Sequence, residues 1–376
     1  GKLETGWKSS YVKTDNNAFY EEIVDAKSIL DSARTNHFIY KESIHAGYAT
    51  ISKSFNSKWS TKLGLRVEHT EASGTSKGYE FQTAEDKFVY KTRTFKRSYT
   101  ELFPTFYLQY AASESHNWVL NYGRRLNRPS YGSLNPFINF LDRYSFQQGN
   151  PDLKPQFAHS IEFTHSYKGV VNTTINYTSI NDIIQQVFEQ NSDTKETIIK
   201  ISNIAKMRQV GLAVNVSKEF FKIWSVNAYV NANHNRFEGV INNESVIVNQ
   251  PTVLLQVQQQ FKFRKGWNAE ITGMYRTKGM QGLTVIQPFG MVHMGVGKSV
   301  LKNKGTVRLH VRDIFSLAHY TGISRYSNVD VRFHNINDSR AVTLSFTWRF
   351  SKGKLNNQQS SFKKGGADEE LDRVGQ

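Results

Sequence analysis

One pattern recurs along this chain about fourteen times: apolar and polar residues alternate for roughly ten positions, and a connector then reverses the chain. The clearest copy is residues 342–350, in which Val342, Leu344 and Phe346 alternate with Thr343 and Ser345. Because successive side chains point to opposite faces of a strand, each copy has one apolar and one polar face. Many strands of this length predict a transmembrane antiparallel β-barrel whose apolar face meets lipid.

The same alternation occurs in several other segments, and none of them shows the apolar spacing near 3.6 residues that a helix requires. These segments therefore predict an all-β chain. Their main apolar positions are Trp59, Leu63, Leu65 and Val67; Leu102, Phe106 and Leu108; Trp224, Val226 and Val230; Trp267, Ile271 and Tyr275; and Val307, Leu309 and Val311.

Composition excludes several classes of protein. The 376 residues include no cysteine, so a disulfide framework and a thiolate metal site are excluded. No apolar run approaches the roughly 20 residues of a membrane helix. The formal net charge of +16 suits anionic lipid headgroups or an anionic ligand. The basic residues are spread along the chain without a recognition motif, so we expect no nucleic-acid partner.

The connectors fall into two classes that alternate without a break. The short ones are residues 55–58, 112–115, 168–169, 218–222, 264–266 and 301–305, and the long polar ones are residues 13–36, 71–97, 128–157, 188–204, 236–250, 277–287 and 316–340. Outer-membrane barrels show this asymmetry, with short periplasmic turns and long outer loops. Counting back from residue 350 gives about 14 antiparallel strands.

The two ends of the chain support a further division. Residues 351–376 are rich in Gln, Ser, Lys and Gly, and we expect them to form a disordered periplasmic tail that follows a barrel portion at residues 1–350. The chain begins at Gly1 within strand-like sequence, so we expect it to be a fragment of a larger protein.

Motifs that would carry bond-making chemistry lack their structural context. Residues 74–78 match G-x-S-x-G, but they lie in a long polar connector and not between a buried strand and a helix. The eleven histidines show no metal-ligand spacing. We therefore expect no catalytic residues, no metal and no cofactor.

The most distinctive segments are residues 124–137 and 148–155, whose prolines and glycines would give a long connector a defined shape. Arg125 has the opposite parity to Tyr122, so its side chain should lie on the polar face. A loop that contacts ligand and a loop that braces the barrel rim remain equally open at this point. The candidate substrate-binding residues, at the outer mouth or on the polar face, are Arg125, Arg128, Tyr131, Arg143, Tyr144, Asn231 and Arg276.

These segments also carry a family resemblance. The stretches RRLNRPSYGSLNPF and GNPDLKP, together with NHFIYKE at residues 36–42, SYTELFPTFYLQY at 98–110, RDIF at 312–315 and VTLSFTWRF at 342–350, resemble TonB-dependent receptors, specifically the outer membrane protein β-barrel family. The residues that carry the loop and terminal-strand signature are Asn127, Pro129, Asn135, Pro136, Asn150, Pro151 and Phe350.

The resemblance implies a 22-stranded barrel with an N-terminal plug, so this chain would hold about 14 of the strands and lack the plug. It implies nutrient uptake across the outer membrane, the substrate being a siderophore, an oligosaccharide, a peptide or a similar compound. The resemblance also implies several partners. They are outer-membrane lipid, the TonB complex acting through the plug, and the barrel assembly machinery, which would recognise the strand ending at Phe350. A surface lipoprotein is a further candidate partner.

Three alternatives stay open at this stage. A passive porin-like channel has the same strand pattern, and a plug sequence upstream would exclude it. A barrel enzyme needs a catalytic set at the rim, and no convincing set is present. A soluble all-β binding protein would stay in solution without detergent.

Overall fold

A computed structural model of the chain describes residues 1–32, 34–82, 87–142, 144–190, 195–241, 244–326, 329–350 and 373. Within these residues, fourteen strands form one antiparallel sheet, called the wall below. Shorter strands occur in the long connectors, which all lie at one end of the wall, called the loop end. The opposite end carries the short turns and is called the turn end.

The strands in chain order are β1 (Lys2–Ala18), β2 (Glu21–Val24), β3 (Lys27–Leu30), β4 (Asn36–Ser54), β5 (Trp59–Gln82), β6 (Lys87–Ala111), β7 (His116–Asn127), β8 (Ile138–Phe140), β9 (Ser145–Gln148), β10 (Gln156–Tyr167), β11 (Val171–Asn181), β12 (Ile184–Gln190), β13 (Thr197–Asn203), β14 (Ala205–Phe220), β15 (Trp224–Ile241), β16 (Glu244–Lys262), β17 (Trp267–Arg276), β18 (Gly279–Gln281), β19 (Thr284–Ile286), β20 (Phe289–Val300), β21 (Gly305–Arg312), β22 (His319–Tyr326), β23 (Val329–Ile336) and β24 (Ala341–Trp348). The helical segments are α1 (Tyr131–Leu134) and a 3₁₀ turn (Arg264–Gly266).

The strand order of the wall is β1-β4-β5-β6-β7-β10-β11-β14-β15-β16-β17-β20-β21-β24. Each wall strand therefore pairs with the next wall strand along the sequence, which is the up-and-down order predicted from the alternating connectors. The predicted number of about fourteen strands is confirmed. Strands β1 and β24 stand at the two ends of this order.

The pairing register sets a continuous row of apolar side chains on one face of the wall. Beginning at Leu3, one row of directly paired residues crosses eight consecutive strands through Ile51, Leu63, Phe106, Tyr122, Ile161, Tyr177 and Val210. Leu3 is 65% exposed and Leu63 is 50% exposed, although both are apolar. An exposed apolar surface that spans this many strands is compatible with hydrocarbon and not with water, as the alternation predicts.

The turns at the turn end are short because the backbone adopts left-handed conformations that suit tight hairpins. Phe221 and Lys222 have φ of 52° and 58°, and Lys265 and Gly266 have φ of 57° and 76°. Paired positive φ values give a hairpin turn whose twist matches the twist of the strands. Phe221 is 88% exposed at such a turn, which suits an aromatic side chain placed at a membrane surface.

The long connectors are more ordered than their polar composition predicts. Residues 71–97, expected as a loop, are mostly strand, because β5 and β6 remain paired from Trp59 and Tyr110 out to Gln82 and Lys87. Two further four-stranded sheets, β12-β13-β9-β8 and β18-β19-β22-β23, are built from connector residues at the loop end. They are called the first and second loop sheets below.

Buried apolar residues from four connectors pack together at the loop end. This head cluster holds the loop end as a folded unit, because each connector contributes side chains to a shared apolar core. Its buried members are Ile183, Val187, Phe237, Ile241, Val246, Met280, Leu283, Tyr326 and Val329.

None of the helical segments in the described ranges has the length and apolar content needed to cross a bilayer as a helix. The predicted tail, residues 351–376, lies outside the described residues except for Arg373.

Asp313 organises the connector that follows β21. Its carboxylate accepts hydrogen bonds from the amides of Leu317 at 3.0 Å and Ala318 at 3.1 Å, and it also accepts one from the Ser339 hydroxyl. Its side chain is fully buried. Burial alone would raise the pKa of Asp313, but the hydrogen bonds from Ser339, Leu317 and Ala318 outweigh it and hold the pKa below its usual value.

We predict that Leu212→Arg destabilises the wall by roughly 2–4 kcal/mol, because it places a charge on the apolar face near the membrane midplane. The matched control is Ala213→Arg, on the polar face beside Thr174 and Asn231. That change should cost much less. Urea titration in lipid vesicles measures both free energies of unfolding, and equal losses would contradict the assignment of the two faces.

We predict that Asp313→Asn weakens the connector at residues 316–319 by roughly 1–3 kcal/mol, because an amide cannot accept all the hydrogen bonds of the carboxylate. Since the folded pKa is depressed, the wild-type stabilisation is fully present above the unfolded value of about 4 and is lost as pH falls through the folded pKa. Amide hydrogen exchange at residues 316–319 should show this acid step.

Asp338→Asn, an exposed neighbour of Ser339, is the control for this experiment and should keep the acid step. An Asp313→Asn variant with an unchanged acid step would show that another group controls this connector.

Candidate functional site

A cavity of about 650 Å³ lies on the polar face of the wall where β5, β6 and β7 approach the loop end. Its lining includes five guanidinium groups and one carboxylate. Strand parity places Arg66 and Glu68 there from β5, and the register sets Glu68 opposite Glu101 of β6. The charged residues that line the cavity are Arg66, Glu68, Arg124, Arg125, Arg128 and Arg373.

Glu68 joins two of these arginines. Its side chain is 2% exposed, and its two carboxylate oxygens accept separately from Arg66 and from Arg128. Arg128 also donates to the Thr70 hydroxyl at 3.2 Å. A buried carboxylate needs such partners, because its charge has lost the solvation that water provides. Glu68 therefore fixes the position of Arg128, the first residue after β7.

Arg124 fills the place where two neighbouring wall strands separate. β6 and β7 are paired only as far as Thr105 and Gly123, beyond which β7 continues beside β10 alone. Arg124 donates to the Glu101 carboxylate at 2.7 Å and to the carbonyl of Leu102 at 2.7 Å. One guanidinium thus satisfies a backbone acceptor that the diverging ladder leaves without a strand partner.

A second buried carboxylate, Glu42 of β4, lies closer to the loop end. It accepts from the Tyr40 hydroxyl at 3.0 Å and from the Tyr131 hydroxyl at 3.4 Å, and it pairs with Arg373. Arg373 also stacks over the Tyr131 ring at 4.3 Å and donates to the Pro129 carbonyl at 3.1 Å. Tyr40 is itself buried, so Glu42 and the Tyr40 hydroxyl satisfy each other where water has been excluded.

The distinctive connector between β7 and β10 is fastened to the wall through its backbone. Ser130 caps α1 by accepting from the Ser133 amide at 3.1 Å, and the Asn150 amide donates to the Ser133 carbonyl at 2.7 Å. Arg97 of β6 donates to the carbonyls of Leu153 and Pro151, the latter at 2.8 Å. A single guanidinium therefore holds the second distinctive segment against the wall.

The signature residues contribute mainly backbone geometry. Asn135 accepts from the Phe137 amide at 3.3 Å, Pro136 accepts from the Gln148 amide group at 3.3 Å, and Asn150 accepts from the Asp152 amide at 2.8 Å. Asn127 ends β7 and lines the cavity. Phe350 lies two residues beyond β24, is 81% exposed, and has its ring 5.5 Å from that of Trp348.

The structure brings together three of the predicted site residues: Arg125 and Arg128 line the cavity, and Tyr131 lies beside it. Tyr144 is 51% exposed in a connector away from them. Asn231 lies on the polar face of β15, where it donates to the Tyr229 hydroxyl at 2.9 Å. Their assignment to substrate binding remains a prediction.

The two remaining predicted site residues are Arg276 and Arg143. Arg276 donates to the Met280 carbonyl at 3.3 Å and so holds the turn after β17. Arg143 lies outside the described residues.

Sequence reasoning gave no role to Glu42 or Arg97, and it placed Glu68 on the polar face without identifying its pairing with the arginines. By parity, Glu68 lies on the polar face of β5. A carboxylate on that face, in a chain with several arginines later in the sequence, could have indicated an ion pair. Arg97 fell inside an expected loop, so its strand neighbours could not be anticipated. Among the described residues, no cluster of three His, Asp or Glu side chains could hold a metal ion.

We predict that Glu68→Gln destabilises the protein by about 3 kcal/mol, because it leaves two neighbouring guanidinium groups without their counter-charge. The control is Glu71→Gln in the same strand, whose carboxylate is 67% exposed and 3.5 Å from His69. That exposed pair should contribute less than about 1 kcal/mol. Urea unfolding in vesicles measures both, and a Glu68 loss no larger than the Glu71 loss would contradict the bracing role.

Comparison with known proteins supports the fold. The chain resembles the ferric yersiniabactin uptake receptor FyuA of Yersinia pestis (TM-score 0.64, 13% identity), covering 92% of this chain and 50% of that one. It resembles the ferric-catecholate import receptor Fiu of E. coli K12 (0.63, 14%), covering 93% and 52%. It also resembles the copper transporter OprC (0.62, 11%), covering 93% and 55%. Identities this low show a shared fold, and the chain spans about half the length of these structures.

No curated protein matches the chain in sequence. A family model does match: the outer membrane protein beta-barrel family covers residues 1–348. With that coverage, and with a fourteen-stranded wall whose exposed apolar face suits lipid, the chain is an outer-membrane protein that belongs to the outer membrane protein beta-barrel family.

Proposed function

We propose that this chain forms most of the barrel wall of a TonB-dependent receptor that imports a nutrient across the outer membrane. The observation that carries the proposal is the combination of a lipid-facing wall with a folded loop end, in which the head cluster and two loop sheets stand over a charged cavity on the polar face. A barrel wall encloses a path for the solute, and ordered outer loops can bind the solute before it enters that path. The solved structures of similar fold are described as uptake and import receptors and a transporter.

The two end strands support a larger barrel. A strand edge within hydrocarbon leaves backbone N–H and C=O groups without partners, which costs several kcal/mol per group. We propose that β1 and β24 pair with further strands of the parent protein, giving about 22 strands as the family resemblance implies. A plug inside that barrel would contact the polar face of the wall and receive work from TonB.

Two further partners follow from the same proposal. Exposed aromatic side chains at the end of β24, Trp348 and Phe350, would present the terminal signal to the barrel assembly machinery. The hairpin of β2 and β3 exposes Ile23 and Ile29 at 78% and 54%, and it is our candidate contact for a surface lipoprotein.

The import proposal predicts that uptake requires both this gene and TonB. Labelled ferric citrate, ferric catecholate and neutral oligosaccharides would be offered to wild-type cells, to cells lacking the gene and to cells lacking TonB. At least one probe should lose uptake in both mutants, because energy coupling acts on this receptor. The gene supplied on a plasmid is the control and should restore uptake in the first mutant.

A passive channel gives a different result. Uptake that falls on loss of the gene but is unchanged without TonB would overturn the receptor proposal in favour of a porin-like pore, because diffusion through an open barrel needs no coupling.

A further inference from the structure

A second pocket, of about 470 Å³, lies between the two loop sheets, outside the charged cavity. We propose that it is the outer capture site and that it takes an uncharged, polyhydroxylated ligand, namely the end of a neutral oligosaccharide. The proposal rests on the import function above, whose substrate class it specifies. The volume falls within the range of about 300–1,000 Å³ that holds small ligands.

One wall of the pocket is aromatic. Tyr320 of β22 and Phe333 of β23 lie with ring centroids 5.8 Å apart and planes at 29°, and Phe289 meets Tyr320 edge to face at 5.9 Å. Phe188 of the first loop sheet also lines the pocket. Aromatic faces carry negative partial charge and attract the weakly positive C–H groups of a sugar ring. The rings are fixed by one another, so they form a platform that needs little ordering on binding.

The other walls carry side-chain amides and hydroxyls. Gln185 and Gln186 come from β12, and Gln281 comes from β18. The Tyr320 hydroxyl donates to Gln281 Oε1 at 2.7 Å, which turns the NH₂ group of Gln281 away from Tyr320 and leaves it able to donate to a ligand. An amide donates and accepts, as a sugar hydroxyl does, so the two are complementary in both directions.

The described lining of this pocket is uncharged, unlike the lining of the charged cavity. The chain carries a formal net charge of +16, yet no Lys, Arg, His, Asp or Glu is among the described residues that line the pocket between the loop sheets. An anionic chelate or a metal ion entering it would lose water and gain no opposite charge, which is unfavourable. A neutral ligand has no such cost. The same chain lines its inner cavity with five arginines, so neutrality at the outer pocket is a local property.

Isothermal titration calorimetry on the full chain in detergent tests this proposal. The probes are maltohexaose, cellohexaose, xylohexaose and mannohexaose, with ferric citrate as the anionic comparison. We expect saturable binding of at least one oligosaccharide. Tyr320→Ala, which removes the platform, and Gln281→Ala, which removes an exposed amide without touching the core, should each weaken it about ten-fold. Tyr320→Phe should weaken it two- to ten-fold, because the ring stays and the orienting hydroxyl is lost.

Gln250→Ala removes an amide from β16 outside the pocket and should leave the affinity unchanged. Absence of saturable binding by every oligosaccharide would overturn the proposal, as would binding that Gln281→Ala and Tyr320→Ala leave intact, or ferric citrate binding that depends on Tyr320. Oligosaccharide binding together with TonB-independent uptake would overturn the import function alone. TonB-dependent uptake of ferric citrate without oligosaccharide binding would overturn this inference alone.

Discussion

Pairing of the backbone in hydrocarbon is the constraint on which this structure depends. Inside a bilayer no water is available to satisfy N–H and C=O groups, so each strand must use both edges in ladders. Neighbouring wall strands are adjacent in sequence, which makes each ladder a local hairpin. The ladders also fix parity: a slip of one residue between β5 and β6 would move Leu63 and Leu65 to the polar face and Arg66 to the lipid. The row from Leu3 to Val210 shows that this parity is kept across eight strands.

Beyond the lipid-facing part of the wall the constraint changes, because polar side chains can then replace strand partners. At the divergence of β6 and β7, Arg124 occupies the gap and bonds to the Leu102 carbonyl and Glu101. Closer to the loop end, Arg97 donates hydrogen bonds to the carbonyls of Pro151 and Leu153. Burying such charged groups adds little net stability. It selects one arrangement of the chain, because any arrangement that left the charges unpaired would be strongly unfavourable. In this chain that arrangement sets the position of the β7–β10 connector.

The wall was predictable from the sequence because its signal is local. A period of two residues is visible within ten residues, and the short turns mark each reversal. The head cluster was not predictable in the same way, since Ile183, Phe237, Leu283 and Val329 come from four different connectors and none has an alternating pattern that reveals its partners. The site shows the same division. The polar-face position of Arg125 followed from parity, whereas the pairing of Arg128 with Glu68 joins residues 60 positions apart and depends on the register of strands between them.

The charged cavity and the pocket between the loop sheets differ in their electrostatics. The pocket between the loop sheets lacks charged lining residues among those described, so as the proposed capture site it would select ligands by shape, aromatic faces and hydroxyl-matching amides. In the inner cavity and beside it, the five arginines meet the carboxylates of Glu42, Glu68 and Glu101, which leaves an excess of two positive charges. Most of those charges hold the wall and the connector together and are not free to attract a solute over long range. In the proposed receptor, capture and passage are therefore separable: the pocket between the loop sheets would distinguish ligands before they reach the charged cavity, whose charges are already paired within the protein.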